Sequence, residues 1–316
     1  MNNYILIVIA IFLDLLIGDP VTPLHPVRLI GKLISKIEIL LYHKKLPKRL
    51  SGFIGTLFSL TAIIAVFSIN IYIAGFLPFG KEIFSILIFY STIAIKDLAA
   101  HGIRVKKALD NNDILLAREK AGMILSRDIN DLNPDKIITG TVESMSENSS
   151  DSIIAPVLWG LILGPAGALA YRVINTMDAM WGYKNERFID FGRTAALLDD
   201  AVNFIPSRIT GWLICLVSIF KPGANPEAWK TMIKDHTNTA SPNAGYPEAA
   251  MAGALGIQLG GAASYFGKIV NKPTIGDNRR EPEAEDISKS IKIIAASVVL
   301  FLFVAGIIIV NLKTGS

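Results

Sequence analysis

The chain has 316 residues, of which 51% are hydrophobic and 18% are charged, and only one is a cysteine. These proportions exclude a disordered chain and a disulfide-stabilised scaffold. An average soluble domain carries about 25% charged residues, so the low charge content and the long aliphatic runs favour a membrane protein. The net charge of +4 does not predict a nucleic-acid partner, because basic loops beside apolar segments more often reflect membrane orientation.

Four apolar segments predict membrane-spanning helices, and the expected fold class is an all-α integral membrane protein, a helical bundle forming one domain over residues 1–316. The segments are residues 4–17, 52–76, 79–95 and 291–312. The second and fourth contain the roughly 20 apolar residues that a bilayer core requires, whereas Asp14 interrupts the first and Lys81 and Glu82 the third. The first segment lacks a basic n-region and a cleavage site, so we expect it to remain in the mature protein.

Basic residues between the first two predicted spans indicate that this loop is cytoplasmic. They are Arg28, Lys32, Lys36, Lys44, Lys45, Lys48 and Arg49. The N-terminus then lies outside, and the hairpin of 52–76 and 79–95 returns the chain to the cytoplasm. The prediction is a multi-pass protein of the cell membrane in which the region of about 96–289, with the candidate active-site loops, faces the cytoplasm.

Two further apolar segments, residues 153–174 and 209–220, admit two interpretations. The first contains Gly160, Gly164, Pro165 and Gly167, and the second is short. They either cross the membrane or form a re-entrant or buried helix pair, since irregular backbone at membrane depth is tolerated when protein covers it. We expect the re-entrant pair, which keeps the polar segments on one side. Residues 96–139 alternate charges with aliphatic residues at helical spacing and predict cytoplasmic helices.

A run of polar residues from 140 to 151 contains three carboxylates, Glu143, Glu147 and Asp151, at intervals of four. On a helix this spacing places them on one face, where they repel one another unless a cation compensates. One interpretation is a site for a divalent metal ion or an amine, and the other is a solvated helix face. Burying three carboxylates beside a membrane-like helix without a function would be costly.

A second polar cluster has charges of both signs. It consists of Asn175, Asp178, residues 183–187 with Lys184, Asn185 and Arg187, then Asp190, Arg193, Asp199, Asp200 and Asn203. Carboxylates hold Mg²⁺ and basic side chains neutralise phosphate oxygens, so this mixture is typical of a phosphoryl-group site. The alternative is an interfacial loop anchored by Trp181 and Tyr183.

Two shorter segments add candidates. Residues 241–248 precede a run of small residues, and Ser241 or Asn243 is placed to cap a helix that offers an anion site. Asp19, His25 and Arg28 follow the first span, where an interfacial turn is the commoner explanation. The sequence contains no GxxxxGK[ST] loop, no GxGxxG fingerprint, no Gly-x-Ser-x-Gly elbow and no zinc-ligand spacing of its four histidines.

Eight segments in order resemble the adenosylcobinamide-phosphate synthase family, the membrane amide synthases of cobalamin biosynthesis. They are Asp14–Pro20, His25–Gly31, Thr141–Ser144, Glu147–Asp151, Asn175–Asp178, Gly182–Arg187, Ser241–Gly245 and Pro247–Gly253. So many ordered matches are far more specific than any single motif. Ser149 replaces an expected threonine and Ser152 an expected glycine, but the acidic positions are intact.

The resemblance implies an ATP-dependent carbon–nitrogen ligase that uses ATP and Mg²⁺. It would join the corrinoid adenosylcobyric acid to 1-aminopropan-2-ol O-phosphate, or to free aminopropanol, and release adenosylcobinamide phosphate or its unphosphorylated counterpart. The other expected partners are membrane lipid and either a second copy of the chain or other membrane proteins of the pathway.

The candidate residues fall into three sets of roles, and all of them except Arg193 and Asp199 lie in the matching segments. The catalytic candidates are Glu143, Glu147, Asp151 and Asp178. The metal candidates are Glu143, Glu147, Asp151 and Asp199. The candidates for binding substrate or phosphate are His25, Arg28, Lys184, Asn185, Arg187, Arg193, Asn243 and Glu248.

A competing interpretation is a corrinoid-binding or transport protein without catalysis, which would use the same carboxylates as an ion path. A transporter distributes polar groups through several spans, whereas residues 52–76 and 291–312 contain almost none. A phosphotransferase acting on lipid head groups ranks last, because its characteristic acidic pattern is absent.

Overall fold

A computed structural model describes residues 2–20, 22, 25–43, 45–183, 185–220, 227–265 and 267–314. These residues form two compact units. The first comprises Met1–Lys96 and Ala155–Asn203, and the second comprises Asp97–Ile154 and Phe204–Ser316.

Helices account for most of the described residues. In chain order they are α1 (Asn3–Ile17), α2 (Pro26–Tyr42), α3 (Lys48–Ala74), α4 (Gly80–Thr92), α5 (Ile95–Asp110), α6 (Ile114–Ala121), α7 (Pro134–Ser149), a π-helical turn (Ser150–Ile154), α8 (Ala155–Trp181), α9 (Arg193–Phe220), α10 (Ala228–Asp235), α11 (Gly245–Leu255) and α12 (Glu285–Thr314). Within the described part of the chain, four short strands lie between α11 and α12. They are β1 (Leu259–Gly260), β2 (Ala263–Tyr265), β3 (Lys268–Val270) and β4 (Thr274–Ile275), with β1 antiparallel to β4 and β2 antiparallel to β3.

Five helical runs in the described residues are long and apolar enough to cross a membrane. They are Lys48–Ala74, Gly80–Asp110, Pro134–Trp181, Arg193–Phe220 and Glu285–Leu312. Large apolar side chains on α3 and α12, such as Phe58, Ile69, Val299 and Phe303, are more than half exposed, as expected of helices that face lipid. The chain is therefore an all-α integral membrane protein, which confirms the predicted fold class.

The helix bounds refine the predicted spans. Helix α1 has only 15 residues, fewer than an untilted span requires, while α3 begins four residues before the predicted start at Gly52. The run predicted as 153–174 contains a break at Gly164, whose φ of 69° lies in the left-handed region. The proposed re-entrant path of this run, and the sidedness of the loops, stay predictions.

Asp14, which interrupts the first apolar segment, has a structural role within the first unit. Its side chain is 1% exposed, and Oδ2 accepts hydrogen bonds from the backbone N–H groups of Ile95 at 2.9 Å and Lys96 at 3.0 Å. These are the first amides of α5, which have no partner inside that helix. A carboxylate in an apolar helix is thus explained by capping another helix.

The core of the first unit is formed by α2, α3, α4, α8 and the beginning of α9. Ile34, Val173, Met177, Trp181 and Phe191 are fully buried in it. Helix α3 approaches the 182–192 loop so closely at Gly52 that a Cβ atom there would lie 1.8 Å from the carbonyl oxygen of Phe191. Only glycine fits this contact.

In the second unit, α7 packs against α11 and α12. Met145 of α7 is buried, and Gly102 of α5 leaves space for it, since a Cβ atom at Gly102 would lie 2.7 Å from the Met145 Sδ. This packing places α7, which carries Glu143 and Glu147, beside α11, which carries Glu248.

Candidate active site

The second unit holds a group of carboxylates between α7, α11 and β1. Glu143 of α7 is 13% exposed, and its Oε2 accepts a hydrogen bond from Arg127 Nη2. Its other oxygen, Oε1, accepts the backbone N–H of Gly260 at 2.6 Å. Both oxygens of Glu143 are therefore engaged, and the residue ties α7 to the 122–133 segment and to β1.

Glu147 and Glu248 approach each other from α7 and α11. Burial raises the pKa of Glu248 well above its ordinary value, and the negative charges of Glu147 and Glu143 raise it further. The cations of Lys272 and Arg127 act in the opposite direction. The chain thus brings two carboxylates, more than a hundred residues apart in sequence, into one partly enclosed site with basic groups beside them.

The strands that follow α11 fix this site from the opposite side. Asp128 Oδ2 accepts hydrogen bonds from Ser264 Oγ at 2.5 Å and from the Gly267 N–H at 2.8 Å, which joins the 122–133 segment to the β2–β3 hairpin. Lys272 donates to the Tyr265 hydroxyl, and its Nζ lies 4.6 Å from the centre of that ring. Arg127 and Lys272 are therefore each held by neighbours on the rim of the carboxylate site.

Asp151 does not continue the four-residue series on one helical face. Helix α7 ends at Ser149, and Asp151 lies in the π-helical turn Ser150–Ile154, whose wider repeat rotates the side chains that follow. Among the described residues, no three acidic, histidine or cysteine side chains are grouped so that they could hold a metal ion by themselves. A metal ion here would need further ligands from substrate or water, and the metal role of Glu143, Glu147 and Asp151 stays a prediction.

Asn243 lies immediately before α11 and is buried. Its Oδ1 is 3.3 Å from Arg208 Nη1 and 3.4 Å from Ser207 Oγ, both on α9. The N-cap residue of α11 is Ala244, whose side chain forms no capping hydrogen bond. Ser241 Oγ instead accepts hydrogen bonds from the backbone N–H groups of Asn243 and Ala244, which precede the helix.

The first unit contains a separate polar cluster around Asp199. Its Oδ2 accepts a hydrogen bond from Asn203 Nδ2 at 3.0 Å, and its Oδ1 is 3.4 Å from Asn175 Nδ2. The Tyr171 hydroxyl donates to Asn203 Oδ1 at 2.9 Å. Asp178 lies close enough for its charge to act on Asp199. The structure therefore brings the candidates Asp178 and Asp199 near each other, and neutral amides hold Asp199.

A further group in the first unit joins His25 and Asp19, whose Nε2 and Oδ1 atoms are 3.0 Å apart. Burial lowers the pKa of His25, the negative charge of Asp19 raises it, and the positive charges of Arg172 and Arg28 lower it. Arg28 itself is exposed on the first turn of α2. Two of the predicted phosphate-binding residues thus lie near one another.

The predicted residues between α8 and α9 are largely engaged elsewhere. Arg187 donates to Glu38 Oε1 at 2.6 Å, and the buried Glu38 also accepts from Trp181 Nε1 at 3.2 Å. Asn185 Oδ1 accepts the N–H of Phe188, and Arg193 is exposed at the start of α9. Lys184 lies outside the described residues. The substrate role of these residues stays a prediction.

Sequence reasoning missed Arg127 and Lys272. Neither belongs to a segment that carries the family resemblance, and both reach the carboxylates only through the turns at 122–133 and 259–276. The single available signal was their positive charge in polar segments near the acidic run, which many solvated loops share.

The raised pKa of Glu248 predicts that stability falls as pH rises. The folded chain keeps the proton of Glu248 to a higher pH than the unfolded chain does, so it binds more protons above the ordinary glutamate pKa of about 4.3. Unfolding midpoints of the detergent-purified protein in Mg²⁺-free buffer should therefore decline from pH 5 towards pH 8. Glu248→Gln should flatten this decline, whereas Glu281→Gln, the control at an exposed position, should not. Equal declines in the two variants would contradict a raised pKa of Glu248.

Comparison with known proteins gives one consistent family. The family model described as CobD/Cbib protein matches residues 7–294. The chain is 42% identical over 305 residues to the cobalamin biosynthesis protein CobD of Clostridium perfringens, with 96% of each chain covered. It is 43% identical over 302 residues to the protein of the same name from Clostridium tetani, which covers 94% of this chain and 95% of the relative. No solved structure matches the chain.

A more distant relative gives the same result. The cobalamin biosynthesis protein CobD of Listeria monocytogenes serotype 4b is 35% identical over 311 residues, covering 94% of this chain and 96% of its own length. The matched residues include both polar clusters and every segment on which the family resemblance depends. Because the match extends from α1 into α12, the chain belongs to the CobD/Cbib family, whose curated relatives are named as cobalamin biosynthesis proteins.

Proposed function

We propose that the chain is an ATP-dependent amide ligase of cobalamin biosynthesis. It joins the carboxylate of adenosylcobyric acid to the amine of 1-aminopropan-2-ol O-phosphate, or of free aminopropanol. Family membership supports the role in cobalamin biosynthesis. The observation that carries the ligase assignment is the approach of Glu147 and Glu248 beside Arg127 and Lys272.

This group suits amide formation because the nucleophile arrives as an ammonium ion and must lose protons. Glu147 receives a proton from the amine, since a carboxylate within hydrogen-bond reach serves as general base. Burial and the charge of Glu147 raise the pKa of the neighbouring Glu248, so Glu248 is the member of the pair that keeps its proton and Glu147 is the one free to accept a proton from the amine. Glu143 keeps Arg127 in place, and Arg127 and Lys272 neutralise oxygens of the anionic substrates.

The donor set also fits Mg²⁺, which proteins usually bind through one or two carboxylates together with substrate phosphates and water. Glu147 and Glu248 would supply such oxygens at this site, and Asp199 with Asp178 would supply them in the first unit. ATP, with its Mg²⁺, supplies the phosphoryl group that converts the corrinoid carboxylate into a better acyl donor. The carboxylates in the two units are alternative metal positions in this proposal.

The test uses the detergent-purified chain with Mg²⁺, ATP and adenosylcobyric acid, with and without aminopropanol phosphate, and follows the corrinoid by mass. The expected result is ATP turnover coupled to a mass gain of the amine minus water. Corrinoid binding without ATP turnover and without this product would contradict the ligase and favour a binding or transport protein.

The proposed orientation places the loop between α1 and α3, and the carboxylate site, in the cytoplasm, on the basis of the basic residues in that loop. A cysteine introduced at Lys45 in a Cys215→Ser background should be labelled by impermeant maleimide only in inside-out vesicles. Labelling from outside intact cells would reverse the topology. Association with a second copy or with other pathway proteins is part of the same proposal and requires no residue of the site.

A further inference from the structure

We propose that Arg208 of α9 binds a phosphate group through the Nε and Nη2 edge of its guanidinium. Arg208 belongs to the second unit and lies outside every segment that carries the family resemblance. The source of the phosphate, substrate or nucleotide, rests on the proposed ligase function, but the binding itself does not.

Two aromatic rings hold the guanidinium of Arg208. Its Cζ lies 3.5 Å from the ring centre of Phe204, one turn earlier on α9, and 4.3 Å from the ring centre of Tyr246 on α11. The Tyr246 ring packs in turn against His236, with ring centres 4.4 Å apart. Stacking on two rings fixes the plane of the guanidinium before any ligand arrives.

The hydrogen bonds of Arg208 are confined to one of its nitrogens. Nη1 donates to the Phe204 carbonyl oxygen at 2.6 Å and lies 3.3 Å from Asn243 Oδ1 and 3.5 Å from Ser207 Oγ. A guanidinium has five N–H donors, and no other protein acceptor among the described residues engages those on Nε and Nη2. This remaining edge has the parallel pair of donors that binds two oxygens of one phosphate.

The charge of Arg208 also lacks a counter-charge. No carboxylate oxygen of the described chain lies within 4.0 Å of it, and its polar neighbours Asn243 and Ser207 are neutral. Arg208 is half-buried in the middle of α9, beside the buried Ser207 and Asn243. A bound anion would supply the counter-charge that the described residues do not provide there.

The ligand chemistry is a phosphate oxyanion, and two sources provide it in the proposed reaction. One is the O-phosphate of the amine substrate, and the other is the phosphate chain of ATP. If the amine is the source, Arg208 determines the preference for the phosphorylated amine over free aminopropanol. If ATP is the source, Arg208 acts with either amine.

The test compares wild type, Arg208→Gln and Arg208→Lys in detergent, with Lys230→Gln on α10 as the control because Lys230 is exposed in the same unit. Thermal unfolding is followed against inorganic phosphate and pyrophosphate. A ligand that binds only the folded chain raises the unfolding midpoint, so the midpoints of wild type and Lys230→Gln should rise with phosphate, and that of Arg208→Gln should rise much less. Arg208→Lys keeps the charge but loses the paired donors, so its shift should be smaller than that of wild type.

Ligation kinetics then identify the source. Loss of charge-assisted hydrogen bonds should raise one KM by about 10- to 100-fold in Arg208→Gln. If the KM for aminopropanol phosphate rises while that for free aminopropanol is unaffected, Arg208 binds the phosphate of the amine. If the KM for ATP rises with either amine, Arg208 binds the phosphate chain of the nucleotide. Phosphate binding by Arg208 is overturned if wild type shows no phosphate-dependent shift, or if Arg208→Gln shows the same shift. Lack of amide product in wild type would contradict the ligase alone, because the unfolding measurement does not use it.

Discussion

Replacing Glu147 with Gln should lower the rate of amide formation by about 100- to 10,000-fold, the range expected when a general base is removed. The substitution keeps the size of the side chain but removes its negative charge and its ability to accept a proton. It also removes the repulsion between Glu147 and Glu248. The unfolding midpoint at neutral pH should therefore stay the same or rise while activity is lost.

This opposition of stability and activity separates a catalytic role from a structural one. The measurement is single-turnover formation of the corrinoid amide, with unfolding followed on the same preparation. Glu119→Gln is the matched control, because Glu119 is an exposed carboxylate on α6 in the same unit and pairs with its neighbour Lys120. If Glu147→Gln keeps more than a tenth of the wild-type rate, Glu147 is not the base.

The sequence was sufficient to predict the parts of the fold that depend on local composition. A span of about 20 apolar residues has few alternatives to a transmembrane helix, and α3 and α12 lie where such runs occur. The same rule could not predict the π-helical turn at Ser150–Ile154, because the residues there do not differ in type from those of an ordinary helix. For this reason Asp151 was placed on the face of Glu143 and Glu147.

The acidic positions of the candidate site were also recognisable, but not their partners. Glu143 stood out through its spacing from Glu147, yet its bonds to Arg127 and Gly260 depend on turns that bring distant segments together. Glu248, in a matching segment, was assigned to substrate binding, and nothing local in the sequence connects α11 with α7. Pairings across long sequence separations depend on the tertiary fold, and periodicity within one helix carries no information about them.

Arg187 has a structural contact that the sequence did not predict. Its position in a polar segment that matches the family suggested phosphate binding, whereas it pairs with Glu38 beside the buried Trp181. A buried carboxylate needs a cation or hydrogen-bond donors. The sequence did not show that Glu38 is buried, because its burial depends on the packing of α2 beside the end of α8.

Asp286→Ala should destabilise the protein by about 3 kcal/mol, because it removes a buried carboxylate and leaves its partly buried donors without an acceptor. Asp286 is 0% exposed at the start of α12, and it accepts hydrogen bonds from Arg280 Nη1 at 2.8 Å, Arg280 Nη2 at 2.5 Å and the Glu283 N–H at 2.8 Å. Lys289 adds a fourth donor at 3.1 Å. Arg280 is 34% exposed and reaches water, which keeps the expected loss at the lower end of the range for broken buried pairs.

The substitution should also lower ligase activity, because Arg280 connects two elements. Besides Asp286, its Nη2 donates to the carbonyl oxygen of Leu255 at 2.8 Å, the last residue of α11. Without Asp286, this guanidinium no longer has a fixed position, and the helix that carries Glu248 loses an anchor at its C-terminal end. Denaturant titration in detergent measures the stability, and Glu285→Gln is the control because its exposed ion pairs are each worth less than about 1 kcal/mol. Equal losses for Asp286→Ala and Glu285→Gln would show that the Arg280–Asp286 pair does not hold α11 and α12 together.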